Sequence, residues 1–292
     1  MKYTVGSVPY LNAKPLVKAF EVWGKDSPVD VIYEVPSKLP ALLESGTVQA
    51  IMVSSIEAFR NPGSRIAEGV CIGSKREVLS VRLFSKVPAD QIRTLALDQS
   101  SMTSNALAQI ILSERYGVTP KADPQPPNLC DMLATHDACV LIGDNGMREQ
   151  GQGLHILDLG LEWFNLKKLP FVWAVWLGNE GLTPELVEWL NAAERWGAAN
   201  IDTIIDEAPR DSGIPLEICD RYFRSVMNYP LEDKEVDALR EFRRSVSHHI
   251  FIHPAHFPAL VASSGSEPPL ALFDGSCEKG EGRGEGSGNS RK

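Results

Sequence analysis

The sequence predicts an α/β protein of two lobes with a ligand cleft between them. Three observations carry this expectation. Strand-like and helix-like segments alternate through most of the chain, the pattern of parallel sheets covered by helices. At 292 residues the chain is long enough for two domains of ordinary size. Polar clusters recur where strands end and helices begin, where α/β proteins bind small molecules.

Residues 3–8 read as a strand, and 13–23 as a helix with Pro15 in its first turn, where a missing N–H costs nothing. Val29 to Val35 alternates apolar residues and reads as a second strand. Ser37 is expected to cap a helix over 38–45, closed by Gly46. Gln49 to Ser54 reads as a short buried strand and 78–84 as a long one. A second unit starts with a strand at Thr94 to Leu97, and Asp98 to Ser104 leads into a helix over 105–115, ended by Tyr116-Gly117. Ala138 to Ile142 is another strand, ending in Gly143-Asp144. Phe171 to Leu177 is an apolar strand that returns to the first unit. Thr183-Pro184-Glu185 starts a long helix by cap, first-turn proline and acidic residue, and a further helix covers about 232–249.

This order implies a discontinuous first lobe, 1–84 with 174–262, and an inserted second lobe, 87–171, with two strands crossing near 80–86 and 169–175. The stretch 276–292 is Gly-rich and charged, and is expected to be a flexible tail.

Composition narrows the function classes. A net charge of −9 with no basic block argues against a nucleic-acid partner. No apolar run reaches the ~20 residues of a membrane helix. The opening Met-Lys-Tyr-Thr-Val-Gly is already strand-like and lacks the features of a signal peptide, so a cytoplasmic location is expected. Cys71, Cys130, Cys139, Cys219 and Cys277 are odd in number and widely spaced, which suggests neither a disulfide framework nor a cysteine zinc site.

Four polar clusters could carry chemistry: Asn12, Ser54-Ser55, Ser100 to Ser104, and Asp144. The loop that ends at Asn12 delivers it to a helix start, where free N–H groups and the dipole suit an anion. Ser101, Thr103 and Ser104 add hydroxyls at a second helix start, a neutral cradle for carboxylate or phosphate. Such a cluster also reads as one helix cap with solvated neighbours. Ser80 and Arg82 lie two apart on one strand face. If that face lines the cleft, Ser80 donates there and Arg82 supplies positive charge; otherwise Arg82 is a solvated rim residue. Asp144 ends a strand, as a ligand residue or as a cap of the next segment. His249 and His253 have i, i+4 spacing, with His248 and His256 nearby, but 250–254 should break the helix and no carboxylate or Cys completes a set. We expect no metal and no dedicated cofactor, since no dinucleotide, phosphate-loop or zinc-protease motif is present.

Val-Gly-Ser-Val-Pro-Tyr-Leu-Asn-Ala-Lys-Pro-Leu over 5–16 resembles the opening of the chorismate dehydratase family of the futalosine route to menaquinone. The resemblance continues through 53–57, 79–85, 100–104, 141–144, 158–163 and 169–176, and covers about 3–250 in order. It implies a type II periplasmic-binding-protein-like fold with the ligand cleft between lobes. Lys167-Lys168 stand where the family has Thr-Gly, and Gln49 replaces an acidic residue. The Cys-Pro-Asn-Asp-Thr motif of the sister family that makes 1,4-dihydroxy-6-naphthoate is absent.

The resemblance implies a small dianionic substrate, chorismate, which loses water to give 3-(1-carboxyvinyloxy)benzoate. Asn12, Ser80 and Asp144 are then the expected catalytic residues, and Ser54, Ser55, Ser101, Thr103 and Ser104 the expected substrate-binding ones. The base is either Asp144 or the substrate's own side-chain carboxylate. The alternative is a non-catalytic cytoplasmic binder of a small carboxylate anion.

Overall fold

The structure, a computed structural model, describes residues 2–249 and 255–265. In chain order the strands are β1 (Tyr3–Ser7), β2 (Val29–Tyr33), β3 (Ala50–Ser54), β4 (Arg65–Ser74), β5 (Val81–Ser85), β6 (Thr94–Asp98), β7 (Lys121–Gln125), β8 (Ala138–Ile142), β9 (His155–Asp158), β10 (Phe171–Gly178), β11 (Met227–Asn228) and β12 (Ala259–Val261). The helices are α1 (Lys14–Trp23), α2 (Leu39–Glu44), α3 (Thr103–Tyr116), α4 (Leu129–Thr135), α5 (Gly143–Arg148), α6 (Leu159–Lys167), α7 (Pro184–Ala199), α8 (Ile201–Ser212), α9 (Leu216–Arg221) and α10 (Asp233–His248).

Two sheets make two lobes. The first has the order β11-β4-β10-β3-β1-β2, with β12 also on β4. The second has the order β7-β6-β8-β5-β9. In the first sheet β1 runs parallel to β2 and β3, while β10 runs antiparallel to both β3 and β4, so the chain that left after β4 returns between them. Residues buried on both faces explain the near-continuous apolar runs of β3 and β10. Aromatic contacts knit the first lobe's core to α6: Phe171 packs against Trp163, Trp173 and Phe242.

Several expectations shift. Val81–Ser85 pairs with β8 and β9, and Phe171–Gly178 pairs with β3 and β4. The sheets are therefore joined through 75–80 and 168–170, and the expected borders at 84 and 174 move there. Ser37 is not the cap of α2: Lys38 stands at that position, with no side-chain cap bond. The long strand β4 went unnoticed because Glu68-Gly69 interrupts its apolar pattern. Thr183 does cap α7, its hydroxyl accepting from Leu186 N at 3.2 Å. The tail at 276–292, His253 and Cys277 lie outside the described residues.

Close packing of α1 on α7 sets the position of the Asn12 loop. A Cβ on Gly197 would stand 2.0 Å from the Pro15 carbonyl oxygen, so only glycine lets the two helices approach this far. The departures from the family pattern have local causes. Lys168 ends α6 in the left-handed conformation, φ 59°, where the family's glycine carries no Cβ penalty. Lys167 reaches across the lobes to Glu241 of α10 at 3.0 Å and also holds Glu114 of α3 at 2.8 Å. It is spent on this latch and is not a charge in the cleft. Gln49, just before β3, accepts from Thr4 N of the neighbouring β1 at 2.8 Å.

Candidate active site

Asn12 lies in a 3-10 turn, Leu11–Ala13, that joins β1 to α1. Its side-chain Oδ1 is buried and has no hydrogen-bond partner. The Asn12 amide lies close enough to the hydroxyl of Tyr222 to draw its pKa down against the effect of burial. Tyr222 is almost fully buried, and its hydroxyl donates to Ser80 Oγ at 3.0 Å. Residues from three distant parts of the chain thus meet at one phenol oxygen.

Ser80 does not lie on β5, as the sequence suggested, but in the tight turn just before it. Ser80 N donates to Val78 O at 2.6 Å, and Leu79 between them has φ 60°. A bulky residue in that region is strained, and such strain persists only where neighbours hold it. Asp158 does so. Its carboxylate accepts from Val78 N at 3.0 Å and Leu79 N at 2.8 Å, and caps α6 through Leu161 N at 3.0 Å. Burial raises its pKa, against the pull of these backbone donors.

Asp144 stands in the first turn of α5, which packs on the Asn12 turn from the other lobe. Burial pushes its carboxyl above the usual range, while Arg148, 3.9 Å away, and Lys14 pull it back. Its charge reaches both Tyr222 and Tyr10. Arg148 also donates through Nε and Nη2 to Ser212 O, at 3.1 and 2.6 Å, clasping α5 to the end of α8. Arg82 is corrected: it donates to the carbonyls of Gly146 and Glu149, pinning the C-terminal end of α5. It therefore fixes Asp144's helix rather than meeting a ligand.

The serine cluster before α3 forms the other part of the site. Asp98 folds it back, accepting from Ser100 N at 2.9 Å. Ser101 Oγ accepts from Ser104 N at 3.3 Å, a helix-start bond. Thr103 Oγ1 accepts from Ile56 N at 3.0 Å, and so bridges the lobes. Its hydroxyl proton is left for another acceptor. Asn105 Oδ1 is buried without a partner. Tyr10 links the two parts, since it feels both Asp98 and Asp144. Ser54 is half-buried at the end of β3. Ser55 is fully buried and donates to Val172 O at 2.7 Å, so its expected ligand contact gives way to a backbone clasp.

Beside Tyr10 opens a cavity of about 180 Å³, lined also by Val8, Pro9, Lys14, Val17 and Tyr33. Of the site residues above only Tyr10 and Lys14 line it, and a larger cavity, about 520 Å³ over β5 and β9, is lined by none of them. Size favours the second; the convergence of polar groups favours the cleft, and polar convergence is what fixes a ligand. Among the described residues no group of three His, Cys, Asp or Glu could hold a metal ion, and no helix is long and apolar enough to cross a membrane.

Tyr222, Tyr10 and Asp158 were missed in the sequence. The signal for Asp158 was present: an Asp before a helix whose spare oxygens could reach a neighbouring turn.

A chorismate dehydratase of Thermus thermophilus is 27% identical over 264 residues, covering 84% of this chain and 95% of that one. One from Campylobacter jejuni is 29% identical over 178 residues, 58% of this chain and 64% of that one. Among solved structures, an Archaeoglobus fulgidus protein superposes with a TM-score of 0.68 at 19% identity, covering 86% of this chain and 98% of that one. The periplasmic aliphatic sulphonate binding protein of Escherichia coli superposes with a TM-score of 0.61 at 12% identity, over 92% and 96%. At such identities these two establish the fold, which is the periplasmic-binding-protein-like one the sequence predicted. The family described as menaquinone biosynthesis matches residues 3–248, most of the 292, and this chain belongs to it.

Proposed function

We propose that this chain is a carbon–oxygen lyase that removes water from chorismate in the cytoplasm, giving 3-(1-carboxyvinyloxy)benzoate for menaquinone synthesis. One observation carries the assignment of the reacting end. Asn12 Oδ1 is a buried acceptor without a donor, and Ser80 Oγ keeps a proton for which the structure gives no acceptor. Both groups belong to residues gathered at Tyr222. An unused acceptor and an unused donor together are the complement of one hydroxyl group, and we assign them to the hydroxyl that leaves C4.

The chemistry follows. Removing the C3 proton pushes charge through the diene into the ring carboxylate. Neutral donors fixed in advance around that carboxylate stabilise the charge as it grows. Ser101, Thr103, Ser104 and the free N–H groups at the start of α3 supply them, with Ser54 beside them. The C4–O bond then breaks, and Ser80 hydrogen-bonds the departing oxygen, which leaves as water with the proton the base took from C3. Aromatisation supplies the driving force, so the step calls for no redox partner. The base is the substrate's side-chain carboxylate, held near C3 by binding. Asp144 is half-buried beside Arg148 and shapes the field of the site.

Purified protein is mixed with chorismate, and the product is followed by chromatography and mass. Loss of one water is expected. Asn12→Ala and Ser80→Ala should lower kcat about 10²-fold or more, and Asp144→Asn only a few-fold. Total loss in a folded Asp144→Asn protein would make Asp144 the base. Chorismate returned intact by folded wild-type protein would leave a non-catalytic anion binder.

A further inference from the structure

Tyr222 opens a π-helical segment, Tyr222–Val226, that continues α9 without a break. Such insertions are rare, and they re-aim side chains, often at functional sites. Here the insertion carries a phenol into the buried space between the Asn12 turn and the Ser80 turn.

The hydrogen-bond inventory of this phenol is directional. A tyrosine hydroxyl has one proton and can accept in return. Its proton goes to Ser80 Oγ, at 3.0 Å. The Asn12 amide lies near its oxygen. Ser80 N is occupied by Val78 O. With Ser80 Oγ accepting from Tyr222, the Ser80 proton cannot point back toward the phenol. It points away from the phenol, and among the described residues no acceptor takes it. The order is Tyr222 O–H to Ser80 oxygen, then Ser80 O–H to ligand. Each donor in such a chain polarises the next.

We propose that Tyr222 is a positioning residue of the dehydration: its hydroxyl fixes Ser80 as a hydrogen-bond donor to the oxygen that leaves C4. This role rests on the dehydratase reading above. Tyr222 does not itself touch the substrate and exchanges no proton with it. Burial holds the phenol far above its ordinary pKa, so it stays protonated and remains a donor throughout the working pH range. Without it, Ser80 can rotate its hydroxyl to the vacated side, and the donor is lost for part of the time.

Tyr222→Phe keeps the ring and removes only the oxygen. Its kcat for chorismate should fall about 10- to 100-fold, with KM within a factor of about three, because the ground state gains less from the relay than the departing oxygen does. In a Ser80→Ala background the same substitution should change kcat by less than about twofold, since a residue that acts only through Ser80 has nothing left to act on. A purely structural tyrosine would reduce both backgrounds equally. A fluorinated tyrosine at 222, which keeps the hydroxyl, should hold kcat within about threefold of wild type; it covers the case of a Tyr222→Phe protein that fails to fold. Wild-type kcat in folded Tyr222→Phe, multiplicative losses in the double variant, or collapse of kcat with the fluorinated residue would overturn the proposal while leaving the dehydratase reading in place. Wild-type protein that leaves chorismate intact would overturn both, and is scored first.

Discussion

Gly146→Ala pushes the helix of Asp144 away from the Ser80 turn without replacing a polar side chain. Gly146 sits in α5, two residues after Asp144, with its Cα facing the Ser80 turn. A Cβ there would stand 2.4 Å from the Ser80 carbonyl oxygen and 3.0 Å from that of Leu141. Ordinary contact begins at 3.4 Å, so α5 must withdraw from the turn by about 1.0 Å (3.4 − 2.4). Both obstacles are backbone, and no rotamer change relieves them. Arg82, bonded to the carbonyls of Gly146 and Glu149, and Arg148, bonded to Ser212 O, both resist the shift. Overpacking of this kind costs about 1–3 kcal/mol, or a Tm lower by about 2–12 °C. A misplacement of about 1 Å at a preorganised site costs about 10²-fold in rate. Initial rates with chorismate, measured well below the Tm of the variant, should therefore show kcat down about 10²-fold in a protein that remains folded. A folded Gly146→Ala protein with wild-type kcat and KM would refute the reasoning, because the Ser80 turn and α5 would then not need their observed spacing.

Two further outcomes follow from the supports of the site. Lys167→Met removes the latch across the lobes. Burial raises the pKa of Glu114 and Glu241, but Lys167, together with His249 at the first and Arg244 at the second, outweighs it and holds both carboxyls below their usual value, while their charges hold Lys167 above its own. The depressed carboxylates contribute stability that is complete above the unfolded value of about 4.5 and lost as pH falls through their folded values. The raised lysine contributes until pH climbs past its own folded value, above about 10.4. Thermal melts should show wild type ahead by about 1–3 kcal/mol between those limits, converging with Lys167→Met in acid; a gap that persists at pH 2 would mean the latch is packing, not charge. Asp158→Asn should cost about 2–4 kcal/mol, and lower kcat, because one amide oxygen cannot replace a carboxylate that holds Val78, Leu79 and Leu161 N–H groups. Unchanged kcat in that variant would show that the Leu79 turn holds itself.

Local chemistry made most of the fold legible. The strand-to-helix turn at Asn12, the Thr183 cap and the α3 start at Ser101 to Ser104 each depend on residues within a few positions, so their patterns survive in one dimension. The site was half legible for the same reason. Asn12 and Asp144 lie at element ends and were marked as such, whereas Ser80 was marked on a strand face and lies in the turn before β5. Ser55 was marked by the same rule and proved to be a clasp on Val172 O, because a hydroxyl at a strand end faces backbone as readily as a cleft. Arg82 was read by strand alternation, which fails here because Ser80 precedes β5 in a turn with a left-handed residue.

Tyr222 was beyond reach for a different reason. It lies 142 residues from Ser80, between Asp220-Arg221 and Arg224-Ser225, where a lone tyrosine beside Phe223 reads as a packing residue. Only the register of the π-helical segment turns its hydroxyl toward Ser80, and no local pattern encodes that register. The unpaired oxygen of Asn12 has the same character. A buried acceptor left alone costs about 1–3 kcal/mol, which folding alone gives no reason to keep. A ligand hydroxyl that donates to Asn12 Oδ1 and accepts from Ser80 would cancel that cost on binding. Part of the affinity is then stored in the empty site as an unsatisfied group. An analogue of chorismate without the C4 hydroxyl would leave that group unsatisfied, and so would be discriminated against at the same atoms that serve the leaving group.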